Sequence, residues 1–181
     1  MMFNIKKSVV TAALLLGTIV AVGHVGSASA ATVTTTQQGM QQWRALNGKL
    51  IIVTGSYHDT SSYKRSLTFY FEEKPGGEWL HVPVIESEAD HTLTLFSVSS
   101  GENTVEDALV ITQGDSTYLV VAEKKAAGVS ATWYKFSPAG TDFPDGPAFM
   151  FKPISTNVYA KSKNQTVEDV LQKEAKLKAK K

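Results

Sequence analysis

The sequence contains no cysteine. This absence excludes disulfide bridges, and it excludes attachment of a lipid to an N-terminal cysteine. A protein without disulfides must draw its stability from a hydrophobic core. At 181 residues, of which 43% are hydrophobic, the chain is long enough and apolar enough to build one.

The sequence also lacks an excess of charge of either sign. Lysine and arginine number 18 and the acidic residues number 17, which gives a formal net charge of +1. A nucleic-acid partner would require a basic surface, so no such partner is predicted. The Gly76-Gly77 pair lies between two predicted strands and opens no helix, which argues against a phosphate-binding loop.

Residues 1–30 have the organisation of a cleaved signal peptide. Lys6 and Lys7 form the positive segment, Val9–Val22 the apolar segment and Ala28–Ala30 the cleavage site. The apolar segment is shorter than the roughly 20 residues that a membrane span requires. The mature chain is therefore predicted to be periplasmic or secreted, without a transmembrane segment. Removal of the two lysines leaves 16 basic against 17 acidic side chains, a formal net charge of −1.

Short β-rich runs separated by turn residues fill the mature chain and predict a single β-rich domain over residues 31–181. The runs are Leu50–Thr54, Ser66–Glu72, Trp79–Glu86, Thr92–Val98, Ala108–Thr112, Tyr118–Glu123 and Val129–Ser137. Their spacing, with turns between them, predicts a mainly β fold: an antiparallel β-sandwich or open barrel. Thr166 and Asp169 form a capping pair that predicts one C-terminal α-helix from about residue 166.

Local features refine this prediction. Alternation in the second run places Leu67, Phe69 and Phe71 on one face. Pro83 cannot donate a hydrogen bond to a neighbouring strand, so its run is expected at an edge or with a bulge. Residues 138–153 contain four prolines and are predicted to form a stiff loop. Within it, the apolar cluster Phe149–Phe151, followed by Ile154 and Val158, predicts a final strand that returns to the sheet.

One motif suggests catalysis. Ser61-Ser62-Tyr63-Lys64 matches the S-x-x-K string of penicillin-recognising serine enzymes. That chemistry also requires a K-T-G strand, which the sequence lacks, and a serine at a helix start, whereas this string lies in a polar loop. The protein is predicted not to be an enzyme, and a hydrolase using Ser61 and Lys64 is kept as an alternative.

Metal and acid–base chemistry receive little support. The histidines of the mature chain, His58, His81 and His91, show neither H-x-x-x-H nor H-E-x-x-H spacing, so no metal or cofactor is predicted. Three acidic pairs are candidate acid–base partners: Glu72 with Glu73, Glu86 with Glu88, and Glu106 with Asp107. All lie at predicted strand ends beside turns, where solvated carboxylates are expected.

Aromatic side chains are the remaining candidates for a binding site. The predicted ligand-binding residues are Trp79, His81, Trp133, Tyr134, Phe149 and Phe151. Strand alternation puts Trp79 and His81 on the face opposite Leu80. The alternative interpretation is that most of these side chains belong to the core, because aromatic residues dominate β-sheet cores.

From Leu67 onward, the order of elements resembles the periplasmic carbapenem intrinsic-resistance family. The matching stretches are Leu67–Phe71, Trp79–Val84, Tyr118–Lys124, Val129–Phe136, Pro147–Ile154 and Thr166–Leu171. The sequence departs from the family pattern near its N-terminus, where an N-x-D-G segment is replaced by Leu46-Asn47-Gly48-Lys49. Ion or ligand binding by that segment is therefore not carried over.

The resemblance implies a protein that protects against a β-lactam without hydrolysing it, by binding the drug or by shielding a target. The expected partner is a β-lactam or an envelope protein. A protein-interaction module, such as an immunity or inhibitor protein of the cell envelope, is the alternative. The sequence leaves the oligomeric state open, including a homodimer.

Overall fold

The computed structural model describes residues 31–58, 62–87, 90–100, 103–140, 146–162 and 165–178. The predicted signal peptide lies outside these residues. The described elements are β1 (Thr32–Thr35), β2 (Gly39–Ala45), β3 (Gly48–His58), β4 (Ser62–Glu72), β5 (Trp79–His81), β6 (Val84–Ser87), β7 (Asp90–Thr92), β8 (Leu95–Ser100), β9 (Asn103–Gln113), β10 (Ser116–Lys125), β11 (Gly128–Pro138), β12 (Phe149–Ala160) and α1 (Val167–Lys178).

All the described strands belong to one large mixed sheet. Its main order is β2-β3-β4-β8-β9-β10-β11-β12-β6-β7, with β1 paired to β9 and β5 paired to β4. The neighbours are antiparallel except β12 and β6, which run parallel where Phe151 meets Val84. The sheet does not close into a barrel. The predicted fold class, mainly β with one C-terminal helix, is confirmed.

One face of the sheet folds onto itself and encloses the inner core. Phe69 of β4 lies 5.0 Å from Phe151 of β12, and Phe71 lies 4.4 Å from Phe149, measured between ring centroids. Strands β4 and β12 are not neighbours in the sheet, so these contacts join two facing layers. The predicted face of Leu67, Phe69 and Phe71 is confirmed, since all three are buried there.

The other face of β9, β10 and β11 is covered by α1. The backbone N–H of Asp169 donates to Thr166 Oγ1, and the N–H of Thr166 donates to Asp169 Oδ2, which confirms the predicted capping pair. Val167, Val170 and Leu171 of the helix are buried against the sheet. Leu177, near the end of the helix, is 50% exposed. No helix in the described part of the chain is long and apolar enough to cross a membrane.

A buried carboxylate anchors α1 to the sheet. Glu174, 1% exposed, accepts hydrogen bonds from Trp133 Nε1 at 2.9 Å, Asn157 Nδ2 at 2.8 Å and the Tyr159 hydroxyl at 2.5 Å. Burial and the hydrogen bond to Glu174 together raise the pKa of Tyr159 to about 12. Because its carboxylate is fully partnered, Glu174 has a structural role.

The predicted strand Trp79–Glu86 is divided in two. Strand β5 pairs with β4, and strand β6 pairs with β12. Between them, the N–H of Val82 donates to the carbonyl of Phe69, while the carbonyl of Pro83 accepts from the N–H of Phe151. Because Pro83 has no N–H, the chain leaves one layer at this point and joins the other.

One further boundary differs from the predictions. The predicted strand Thr92–Val98 bends at Leu93 and Thr94, so that it contributes to both β7 and β8. The predicted final strand is confirmed, because β12 begins at Phe149, where three apolar residues enter the core. Pro153 is accommodated beside a bulge in the pairing of β12 with β11.

Candidate functional site

The structure places the six predicted ligand-binding residues in separate environments. Trp79 and His81 lie on the outer face of β5, where both pack against Tyr70 of β4. The Tyr70 and His81 rings stack with centroids 5.0 Å apart, and a ring nitrogen of His81 lies 2.9 Å from the carbonyl oxygen of Leu93. Trp79 remains 45% exposed.

The other four residues face the core or a cleft. Trp133 packs in the core beneath α1, and Phe151 is buried in the inner core. Phe149 is also in the inner core, with one side lining a cleft at one end of the sheet. Tyr134 lines a second cleft at the other end. The six residues therefore do not form one site, and their role in ligand binding stays a prediction.

The first cleft, here the turn-end cleft, lies where three chain reversals meet. It comprises two adjoining cavities of about 450 and 770 Å³ that share Arg44, Asn47 and Glu73. The β2–β3 turn, the β4–β5 connection and the β9–β10 turn all contribute. Its other lining residues are Gln42, Trp43, Leu46, Gly48, Lys49, Glu72, Pro75, Asp115, Pro138 and Phe149.

Backbone constraints fix the β2–β3 turn. A Cβ atom at Gly48 would lie 2.3 Å from the carbonyl oxygen of Glu72 and 2.7 Å from Cζ of Phe71, so only glycine fits. Leu46 has a φ of 49°, which lies in the left-handed region that residues other than glycine and asparagine rarely adopt. Its side chain packs against the inner core, which holds it in this conformation. The turn is therefore preformed and strained.

One ion pair closes the wall of the cleft. Lys49 Nζ lies 2.8 Å from Glu72 Oε2, and the N–H of Gly76 donates to Glu72 Oε1 at 2.7 Å. The Lys49 bond and then the Gly76 bond lower the pKa of Glu72 below its ordinary value. The charge of Lys49 is thus neutralised within the wall.

Three other charged side chains of the cleft have no such partner. Arg44, Glu73 and Asp115 form no ion pair with any residue that the structure describes. The aromatic side chains of Trp43 and Phe149 lie beside them in the lining. The indole N–H of Trp43 donates to Thr34 Oγ1 at 3.2 Å, which fixes the ring. The turn-end cleft therefore combines rigid aromatic walls with unpaired charges of both signs.

The second cleft, here the acidic cleft, has a volume of about 470 Å³ and lies on the inner face of the sheet. Its residues come from β6, β8, β9, β10, β11 and β12. They are Glu86, Leu95, Glu106, Val121, Glu123, Lys125, Ser130, Thr132, Tyr134, Pro153 and Thr156.

Glu106 is the most perturbed carboxyl group of the acidic cleft. It pairs directly with Glu123 across β9 and β10, so the two side chains project from the same face. Burial, followed by the charges of Glu123 and Glu86, raises the pKa of Glu106 to about 7. Lys125 offsets part of this effect and lies 3.1 Å from Glu123. Burial, with the same three carboxylates, also raises the pKa of Tyr134.

Sequence reasoning placed Glu106 among the solvated acids at strand ends, and this was wrong. Strand β9 begins at Asn103, so Glu106 lies within the strand and not at its end. The register of the β9–β10 hairpin could have shown that Glu106 faces another carboxylate. Pairing outward from the Gly114-Asp115 turn brings Glu106 opposite Glu123.

The S-x-x-K string and the histidines do not assemble into a site in the part of the chain that the structure describes. Tyr63 and Lys64 lie in strand β4, and Ser61 lies outside the described residues. His58 packs on Tyr63, with ring centroids 4.6 Å apart. Within the described ranges, no group of three or more histidine or acidic side chains is placed to hold a metal ion.

Comparison with known proteins gives one informative result. No family model matches the chain, and no curated protein sequence matches it. The crystal structure of CarG matches with a TM-score of 0.64 and 25% sequence identity, over 78% of this chain and 94% of CarG. The chain is CarG-like. The predicted resemblance is thereby confirmed, and the likeness extends over most of both chains.

Proposed function

We propose that this CarG-like chain is an exported protein that protects against a β-lactam by binding the drug without hydrolysing it, in the turn-end cleft. One observation carries the proposal. Preformed cavities with aromatic walls meet at Arg44, whose guanidinium is not engaged by any described acidic side chain. The periplasmic or secreted location rests on the predicted signal peptide at residues 1–30.

The cleft has the size and chemistry of a small-molecule site. Ligand pockets commonly have volumes of roughly 300 to 1,000 Å³ and combine apolar walls with a few polar groups. A β-lactam carries a carboxylate and amide carbonyl groups. Arg44 suits the carboxylate, because a guanidinium can donate two parallel hydrogen bonds. The side-chain amide of Asn47 suits a carbonyl group.

The composition of the lining supports binding rather than hydrolysis. Among the described residues that line the turn-end cleft, none is serine, threonine, cysteine or histidine. Acyl transfer to the protein would use a serine, threonine or cysteine nucleophile, which the described residues of this lining do not include. Lys49 and Glu72 are bonded to each other, which leaves neither available as a free base.

Three measurements test the proposal. Deletion of the gene should increase susceptibility to a carbapenem, and titration of the purified chain 31–181 with the drug should release or absorb heat to saturation. The ultraviolet absorbance of the β-lactam ring should stay constant during incubation with the protein. Unchanged susceptibility together with no heat of binding would overturn the proposal. Ring opening that Glu106→Gln abolishes would instead reveal catalysis in the acidic cleft.

An exposed apolar face favours a second candidate, a protein-interaction module of the envelope. Trp79 packs beside Tyr70 on the outer side of β4 and β5, and Phe96 of β8 lies on the same side, opposite Ser66. These two side chains and Leu93, which lies just before β8, are 45%, 47% and 49% exposed, respectively. Aromatic residues are enriched at protein interfaces. The test is titration with the product of a neighbouring gene, if that gene encodes a secreted effector or envelope enzyme. Loss of binding in a Trp79→Ala, Phe96→Ser variant, with drug binding unchanged, would favour this function.

A further inference from the structure

We infer that the turn-end cleft selects a zwitterion, with the carboxylate at Arg44 and an ammonium group at Glu73 and Asp115. The inference rests on the proposed function, because it uses the same cleft, and it specifies the class of ligand. It begins from the charges that line the larger cavity of about 770 Å³.

The two arginines of the chain show why Arg44 is available. Arg65 donates to the carbonyl of Thr36 at 2.8 Å, to Ser97 Oγ at 3.3 Å and to Asp107 Oδ1 at 2.8 Å. Arg44 makes no hydrogen bond or ion pair with a described residue, and it is exposed. Arg65 is therefore part of the framework, whereas no donor of Arg44 is taken up by a residue within the described ranges.

Glu73 and Asp115, the acidic side chains of the same cavity, likewise form no ion pair in the part of the chain that the structure describes. Glu73 follows the end of β4, and Asp115 lies in the β9–β10 turn, so they approach the cavity from separate segments. Glu72, one residue before Glu73, is instead bonded to Lys49 and to the backbone of Gly76. Among the described residues, the lining of this cavity therefore contains one unpaired positive charge and two unpaired negative charges.

This arrangement discriminates among ligand charges. A simple anion would be attracted by Arg44 but repelled by Glu73 and Asp115. A simple cation would be attracted by the two carboxylates but repelled by Arg44. A molecule that carries both groups can satisfy all three side chains. The acidic cleft does not compete for the carboxylate, because Glu86, Glu106 and Glu123 repel it.

The test uses calorimetry with two sets of probes at low ionic strength. The first set is a carbapenem with an ammonium side chain, its N-acetyl derivative and its carboxylate methyl ester. The second is 6-aminohexanoate, hexanoate and hexylamine, followed by NMR shifts of the Trp43 indole and the Asn47 amide. We expect the zwitterion of each set to bind at least about 5-fold more tightly than its singly charged relatives.

Variants test separately the contact of the carboxylate with Arg44 and the contact of the ammonium group with Glu73 and Asp115. Arg44→Gln should weaken the zwitterionic carbapenem about 10-fold or more, and Glu73→Gln with Asp115→Asn should weaken it about 5-fold without weakening the N-acetyl derivative. Lys124→Gln, an exposed change at the end of β10 away from this cleft, is the matched control and should have no effect.

The outcomes separate this inference from the proposed function. Equal binding of the ammonium and N-acetyl carbapenems overturns the zwitterion inference while drug binding in this cleft stands. Unchanged binding in Arg44→Gln overturns the inference and also the turn-end cleft as the site of the drug. Binding of 6-aminohexanoate but of no carbapenem supports the zwitterion inference and overturns the proposal that the ligand is a β-lactam. If neither zwitterion binds, both are overturned.

Discussion

The acidic cleft and the turn-end cleft lie at opposite ends of the sheet and hold their charges differently. In the acidic cleft, Glu106 and Glu123 oppose each other across two strands, and burial adds to their repulsion. In the turn-end cleft, Arg44, Glu73 and Asp115 are contributed by an edge strand and by turns. The first arrangement is imposed by strand register, and the second by where loops meet.

The difference has consequences for stability and for binding. Like charges fixed in register destabilise the folded chain, and partial protonation relieves the repulsion. Unpaired charges on turns remain hydrated, so they add little to the stability and remain free to bind a ligand. We therefore expect pH to act on the acidic cleft and ligand charge to act on the turn-end cleft.

The largest expected effect comes from breaking the turn-end cleft at its backbone. Gly48→Ala would place a methyl group against the carbonyl of Glu72 and the ring of Phe71. The free energy of unfolding, measured by urea denaturation, should fall by about 3 kcal/mol. Gly55→Ala on the same strand is the control, because its new methyl group meets only the rotatable hydroxyl of Ser66. Equal losses in both variants would contradict this account of the turn.

The second-largest expected effect is the pH dependence of stability that Glu106 of the acidic cleft causes. The pKa of Glu106 is raised from 4.5 to about 7, so the folded chain binds more protons than the unfolded chain between these values. Stability should therefore fall as the pH rises from about 4.5 to about 7 and remain lower above it. Glu106→Gln should remove this loss and stabilise the protein at pH 8 by about 1 kcal/mol, a value discounted for partial solvation.

The control for this prediction is Glu78→Gln, which removes an exposed carboxylate from the β4–β5 connection. Its unfolding free energy should follow that of the unmodified chain at every pH. At pH 4 the Glu106→Gln variant should also match the unmodified chain, because Glu106 is protonated in both folded and unfolded states. A Glu106→Gln variant less stable than the unmodified chain at pH 8 would contradict the raised pKa.

The smallest expected effect concerns the strain at Leu46. Leu46→Gly removes a partly buried side chain but relieves the left-handed conformation, and each change is worth about 1 kcal/mol. Its unfolding free energy should stay within about 0.5 kcal/mol of the unmodified value. Leu46→Ala loses the packing without the relief and should be less stable than Leu46→Gly by about 1 kcal/mol. The reverse order would show that the turn is not strained.

Much of the fold could be predicted from the sequence because local patterns determine it. Alternation identified the buried face of β4, and the pair Thr166 and Asp169 marked the start of α1. The division at Val82-Pro83 could not be predicted, because it depends on which strand is nearest on either side of the proline. Periodicity reports which side chains are buried but not which layer they enter.

The candidate site was less predictable. The sequence predicts Trp133 as a ligand contact, whereas in the structure its indole N–H donates a hydrogen bond to Glu174, a residue 41 positions away that the helix brings to it. Arg44, Glu73 and Asp115 carry no motif, and only the meeting of three turns places them around one cavity. Such convergence depends on long-range packing, which no local pattern records.

The most direct test of the central claim is a calorimetric titration of the chain 31–181 with a zwitterionic carbapenem, with the absorbance of the β-lactam ring recorded in the same sample. The account predicts saturable binding with constant absorbance, and loss of most of the affinity in Arg44→Gln. No heat of binding, or an absorbance that falls as the ring opens, would contradict it.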